Sequence, residues 1–203
     1  MMLEESERAL LLERAVLRRY LRGRTLFEQG EEGHTLFLVV EGEVEIFVGE
    51  GPGRTLINRE LAGDVFGELS LLADRPRTAS ARTVSDSLLG VVSRVTFREC
   101  HASNPALQDA MRRNLIRMVD QATMRLSTVH LSAYGRLRAC LCSHVAADGV
   151  GALPGIWTQQ SLAEWTGCTR ETVAKIIGEL RHGGWIRNDR GRVTILRPLP
   201  PSF

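Results

Sequence analysis

Thr158-Gln159-Gln160-Ser161-Leu162-Ala163-Glu164-Trp165-Thr166-Gly167-Cys168-Thr169-Arg170-Glu171-Thr172-Val173-Ala174-Lys175-Ile176-Ile177 reads as two short helices joined by a tight turn. Thr158 and Thr169 are N-cap residues, whose hydroxyls accept from backbone N–H groups that a helix start leaves unpaired. Gly167 supplies the turn, and Ala163 is small where the helices cross. On the second helix Val173, Ile176, Ile177 and Leu180 fall at i, i+3, i+4 and i+7, which makes one apolar face. Arg170, Glu171, Ala174, Lys175 and Gly178 fall on the opposite face, Arg170 and Glu171 at its N-terminal end. From those positions a helix laid in a major groove reaches base edges.

Working outward, residues 185–196 read as a small hairpin around Arg190-Gly191, and residues 149–155 as a loop. Residues 136–147 predict a helix, with Gly135 as a hinge before it. Residues 136–203 carry nine Arg or Lys against five acids, whereas residues 1–135 carry 17 Arg against 19 acids. A basic C-terminal third behind a mildly acidic body suits a polyanionic partner for the smaller part.

Residues 105–133 hold no Gly, and no Pro after Pro105. Leu107, Met111, Leu115, Met118, Ala122, Leu126 and Val129 form an apolar seam along one long helix. Such a seam packs against its own domain or pairs with a second copy. The spacing predicts the second, a coiled-coil homodimer.

Residues 24–97 predict short strands and Gly-rich turns, hence a barrel, roll or sandwich. Leu36-Phe37-Leu38-Val39-Val40 and Val44-Glu45-Ile46-Phe47-Val48 are β-rich, and Glu41-Gly42-Glu43 reads as a hairpin turn between them. Residues 3–21 predict a helical prelude with a stripe of Leu10, Leu11, Ala15 and Val16.

The 203 residues, 43% hydrophobic and 25% charged, can build a packed core. The longest apolar run, Leu36–Val40, is far short of a membrane span. The start Leu3-Glu4-Glu5-Ser6-Glu7 is acidic where a signal peptide is basic, so a cytoplasmic location is expected. Four scattered cysteines make no disulfide scaffold. Cys140 and Cys142 lie two apart on a helix, point away from each other, and read as packing thiols. Cys168 also reads as packing. The five histidines form no cluster, and no His-x-His pair with a carboxylate supports a metal-dependent enzyme on a β-roll. No metal is expected.

Gly167-Cys168-Thr169-Arg170-Glu171-Thr172-Val173 resembles the recognition helix of the cyclic-AMP receptor (catabolite activator)/FNR superfamily of bacterial transcription regulators. Phe66-Gly67-Glu68-Leu69-Ser70-Leu71-Leu72-Ala73-Asp74-Arg75-Pro76-Arg77-Thr78-Ala79 resembles the phosphate-binding cassette of the same family. The likeness implies an α+β chain: an N-terminal β-roll of the cyclic-nucleotide-binding type (1–104), a dimerisation helix (105–134) and a C-terminal winged helix-turn-helix (135–203). It implies a cyclic nucleotide effector, cyclic AMP first and cyclic GMP second. Arg77 would grip the cyclic phosphate, Thr78 and backbone N–H groups would add hydrogen bonds, and Glu68 would accept from the ribose 2′-hydroxyl, with Gly67 and Leu69 completing the cassette. The family's base-contacting Thr-Ser pair is replaced here by Gln121 and Ala122. Gln121 can hydrogen-bond a base and Ala122 cannot, so the base-reading half of the site departs from the pattern.

The resemblance also implies a palindromic double-stranded DNA site like TGTGA-N6-TCACA, contacted through Thr158, Gln159, Thr169, Arg170, Glu171 and Lys175. Arg pairs bidentately with guanine, and Glu accepts from cytosine N4. RNA polymerase is an implied partner. The chain lacks the N-terminal cysteine cluster of the family's iron–sulfur sensors, while a haem sensor with one axial His would leave no pattern. The alternatives are a regulator with no ligand or another effector, and, in a different class, an enzyme or pure ligand-binding module.

Overall fold

The computed structural model describes residues 3–146 and 148–202. The chain divides into two compact units, Met1–Asp120 and Gln121–Phe203. In the first, α1 (Glu5–Leu12) leads into β1 (Val16–Tyr20), β2 (Thr25–Phe27), β3 (Thr35–Glu41), β4 (Glu43–Val48), β5 (Thr55–Leu61), β6 (Val65–Phe66), α2 (Glu68–Leu72), β7 (Ser80–Thr83), β8 (Ser87–Ser93) and α3 (Arg94–Ser103). The long helix α4 (Pro105–Thr128) follows. Two antiparallel sheets form, ordered β1-β8-β3-β6 and β2-β7-β4-β5.

Strand β3 explains the layering. Successive side chains on a strand alternate faces, so a strand covered on both sides reads as a continuous apolar run. Leu36 and Leu38 pack with Leu11, Val92, Phe97, Leu107 and Met111, while Phe37 and Val39 pack with Phe27, Val44, Phe66, Ala81 and Leu89. One core thus lies between a sheet and the helices, the other between the sheets.

Three expectations are corrected here. Glu41-Gly42-Glu43 joins two strands of different sheets, not a hairpin: β3 pairs with β8 and β6, and β4 with β5 and β7. Gly42 has φ +92°, and a Cβ there would lie 2.7 Å from the Asp86 carbonyl oxygen, so glycine alone fits this corner. The helical prelude stops at Leu12, and Val16–Tyr20 pairs with β8. Finally, the seam of α4 divides. Leu107, Ala110, Met111 and Asn114 are buried in the first unit, while Leu115, Ile116, Val119 and Leu126 are 40–73% exposed. At 100° per residue these are two stripes on different sides of the helix.

In the second unit α5 (Ala133–Cys142), β9 (Gly151–Ala152), α6 (Gln159–Thr166), α7 (Arg170–His182), β10 (Ile186–Asp189) and β11 (Arg192–Ile195) form a helical core with a β10-β11-β9 sheet. The β10–β11 hairpin matches the expected one, and β9 adds a short strand where a loop was expected. Gly135 is not the hinge. The break between helices lies at residues 129–132, and Gly135 donates its N–H to the cap hydroxyl of Ser132 inside the first turn of α5. Cys140 is buried and Cys142 half-buried on α5. The Arg125 guanidinium lies 3.6 Å from the centre of the Trp165 ring, which packs edge-on against His144 and Trp157. No helix among the described residues is long and apolar enough to cross a membrane.

Candidate functional site

In the first unit the cassette forms between β6 and β7. Gly67 takes φ +84° at the start of α2, and a Cβ there would sit 2.7 Å from Nη1 of Arg77. The turn therefore requires glycine for its conformation and for room around the guanidinium. Arg77 is buried, 5% exposed. Its Nη1 donates to the Gly67 carbonyl and Ser70 Oγ, both at 2.8 Å, and its Nη2 to the Thr35 carbonyl at 2.7 Å and Thr35 Oγ1 at 3.2 Å. The face of the guanidinium covers the Phe27 ring at 4.0 Å. Neutral oxygens hold it; among the described residues no ion pair involves it, and its Nε is buried without a partner. Burial lowers its pKa to about 10, with Glu31 and Glu68 acting the other way, so it stays cationic at neutral pH.

A buried cation held only by neutral acceptors keeps an uncompensated charge, which suits an anionic ligand. A cyclic phosphate fits that donor set. The ion pair that would have made Arg77 and Glu68 merely structural does not form.

Glu68 is 4% exposed at the first residue of α2. Burial raises its pKa to about 7, and the Glu60 charge adds to the rise. Glu60 is itself buried, and burial raises its pKa too. The Asn114 side chain on α4 donates from Nδ2 to Glu68 Oε1 at 2.9 Å. Leu69 is half-buried and Thr78 exposed beside Arg77. Gln121 and Ala122 are exposed on α4, about two turns beyond Asn114.

Sequence reasoning missed Thr35, Ser70, Phe27 and Asn114. Phe27 and Thr35 come to Arg77 from strands that only the folded sheets bring together, while Ser70 comes from α2 within the cassette itself. Asn114 left one signal: it is the polar member of the buried i, i+3, i+4, i+7 set begun by Leu107.

In the second unit the helix pair forms as its caps dictate. Thr158 Oγ1 accepts from the Ser161 N–H at 3.0 Å, and Thr169 Oγ1 from the Thr172 N–H at 3.2 Å. Gly167 ends α6 at φ +64°. Val173, Ile176, Ile177 and Leu180 are buried, whereas Arg170, Glu171 and Lys175 are exposed on α7. No ion pair among the described residues occupies those three side chains. Thr158 and Thr169 are exposed with their hydroxyls used as caps, and Gln159 is half-buried. Beyond α7, the hairpin turns through Arg190 (φ +48°) and Gly191 (φ +87°), flanked by exposed Arg187 and Arg192. These wing arginines add to the cationic surface and were not singled out from sequence. Among the described residues no group of three or more His, Cys, Asp or Glu could hold a metal.

Residues 17–104 match the cyclic nucleotide-binding domain, and residues 135–198 the Crp-like helix-turn-helix domain. The chain is 32% identical over 181 residues to the CRP-like cAMP-activated global transcriptional regulator of Mycobacterium tuberculosis, covering 86% of this chain and 81% of that one. It is 30% identical over 182 residues to the cyclic AMP receptor protein of Thermus thermophilus, covering 88% and 82%. The fold is shared with the c-di-GMP responsive global regulator of Xanthomonas campestris, at TM-score 0.76 and 20% identity over 95% of this chain and 99% of that one. These relatives are transcription regulators, not enzymes. With a roll that matches the cyclic nucleotide-binding domain and holds the buried cation Arg77, and a capped helix pair that presents Arg170, Glu171 and Lys175, this chain belongs to the CRP/FNR superfamily of transcription regulators.

Proposed function

We propose that the chain is a cytoplasmic, homodimeric transcription regulator controlled by a cyclic nucleotide, cyclic AMP first and cyclic GMP second. The observation that carries the reading is Arg77: a buried guanidinium with no carboxylate partner among the described residues and an unpaired Nε, beside the buried carboxyl of Glu68. Arg77 would hold the cyclic phosphate, with Thr78 at its rim. Glu68 would accept the ribose 2′-hydroxyl, and Gly67 and Leu69 would shape the cassette. Gln121 and Ala122 would lie toward the base.

The exposed stripe Leu115, Ile116, Val119, Ala122 and Leu126 supports a pairing of α4 with its copy, since a helix face this apolar is stable in water only when covered. A two-fold dimer places its recognition helices about 34–36 Å apart, on successive major grooves. The expected site is palindromic, like TGTGA-N6-TCACA, read by Arg170, Glu171 and Lys175, with Thr158, Gln159 and Thr169 near the backbone. RNA polymerase is the expected protein partner. Effector binding controls DNA affinity only as far as it favours one arrangement of the dimer over another.

The test is calorimetry of the purified protein with cyclic AMP and with cyclic GMP, followed by DNA binding with and without each. Saturable binding of one nucleotide that raises DNA affinity is expected. DNA binding with no response to either nucleotide would instead establish an effector-independent regulator or another effector.

A further inference from the structure

The fold places one α4 side chain inside the cassette, and its chemistry is specific. Glu68 is buried, it faces the like charge of buried Glu60, and the Arg77 guanidinium is held by Gly67, Ser70 and Thr35. A carboxylate in such surroundings favours its neutral form, because burial and a like charge both penalise ionisation. Asn114, 6% exposed, is the only side chain among the described residues that donates a hydrogen bond to it. That bond uses Oε1; the backbone N–H of Glu68 also donates to the carboxyl, and no side chain among the described residues donates to Oε2.

We infer that Asn114 is a positioning residue for effector recognition: its amide fixes the Glu68 carboxylate so that the remaining oxygen accepts a ribose 2′-hydroxyl, and the pair confers preference for ribonucleotide over 2′-deoxyribonucleotide effectors. The inference rests on the cyclic nucleotide reading of the cassette and deepens it. Two physical points carry it. A hydroxyl bonded to a carboxylate makes a charge-assisted bond, about twice as strong as one to a neutral acceptor. An amide donor on the other oxygen favours that ionised form and limits the side chain to one orientation. The effect then appears only with ligands that own the hydroxyl. A side chain that merely fills space would change binding of both ligand types alike.

The position suits this role. Asn114 follows Leu107, Ala110 and Met111 on the buried stripe of α4, so packing sets where its amide falls. Its Nδ2 also lies 3.8 Å from Met118 Sδ, a weak acceptor that leaves Glu68 as the strong one. No proton is transferred and no bond is made in this step. Asn114 acts through Glu68 and does not itself touch the effector.

The experiment measures cyclic AMP and 2′-deoxy-cyclic AMP affinities by calorimetry on the full-length protein and on Asn114→Leu and Asn114→Ala. Leu suits the apolar neighbours and Ala keeps the helix, so one variant serves if the other fails to fold. In the native protein the ribonucleotide should bind at least tenfold tighter. In the variants cyclic AMP should weaken about tenfold while 2′-deoxy-cyclic AMP changes less than about threefold, so that the preference collapses. Equal weakening of both ligands would assign Asn114 to packing and overturn the inference while leaving the effector reading standing. A native protein that binds both nucleotides equally would overturn it as well, because Glu68 then takes no hydroxyl. Binding of neither nucleotide to the native protein would overturn the effector reading and this inference together.

Discussion

Replacing Glu68 with Gln should reverse part of the pH dependence of the effector domain. The native carboxyl is moved from 4.5 to about 7 by burial first and by the Glu60 charge next. Between those two values the folded chain keeps a proton that the unfolded chain has lost. Stability therefore falls as pH rises through that window, and the full penalty is present above about pH 7. The displacement is worth at most about 3 kcal/mol. Gln has nearly the same shape and keeps a carbonyl oxygen for the Asn114 donor, but it cannot ionise. Glu68→Gln should match the native protein near pH 4.5 and exceed its stability at pH 8 by up to about 3 kcal/mol. Glu60, also raised, titrates in both proteins and cancels to first order. The assay is urea unfolding without nucleotide at half-unit intervals from pH 4.5 to 8. The transition of the first unit must be fitted separately, since two units need not unfold together. A stability difference that is flat with pH, or that grows toward acid, would refute the burial argument.

Arg77→Ala should weaken nucleotide binding by about 1.5–3 kcal/mol in calorimetry, the cost of one charge-assisted bond; unchanged affinity would remove Arg77 from the site. Val119→Glu with Leu126→Glu should convert the dimer to monomer in light scattering, because like charges would meet across the seam. Arg170→Ala should cost about 1–3 kcal/mol and relax one base pair per half-site in binding-site selection, and Lys175→Arg should sharpen a different pair, since an arginine fork fixes guanine more strictly than an ammonium. Gly42→Ala should destabilise the first unit by about 2 kcal/mol or more in the same urea titration, through positive φ and collision with the Asp86 carbonyl.

What sequence could and could not show follows from distance along the chain. The helix-turn-helix was legible because every determinant is local: Thr158 caps three residues on, Gly167 ends its own helix, and Val173 to Leu180 lie within two turns. The strands were legible from alternation, but their partners were not. The β3 strand meets β8 in the Leu38–Gly90 register, and nothing near Gly42 says that β4 leaves for the other sheet. The β1 strand, Val-Leu-Arg-Arg-Tyr, has too few apolar residues to announce itself beside a helical stripe. The α4 seam was misread for a different reason. Leu107, Met111, Leu115 and Leu126 all fall within about 100° of arc, so spacing alone does not separate the first turns, which the roll buries, from the later ones, which stay exposed. Around Arg77 the arginine itself was visible in its motif, whereas Thr35 and Asn114 reach it and Glu68 only through tertiary structure.

The β1–β8 pairing bears on how the chain is born. Val16 pairs with Val91, and Tyr20 with Ser87, so the second strand of that sheet is also its last to be synthesised. At 5–20 residues per second, β1 leaves the ribosome roughly 4–15 s before its partner exists. Strand β3 waits for the same β8, and the first turns of α4 need that sheet beneath them. Nascent chains cut before Ser87 should leave the β1 backbone unpaired and uncover the β3 run, an aggregation-prone set of edges.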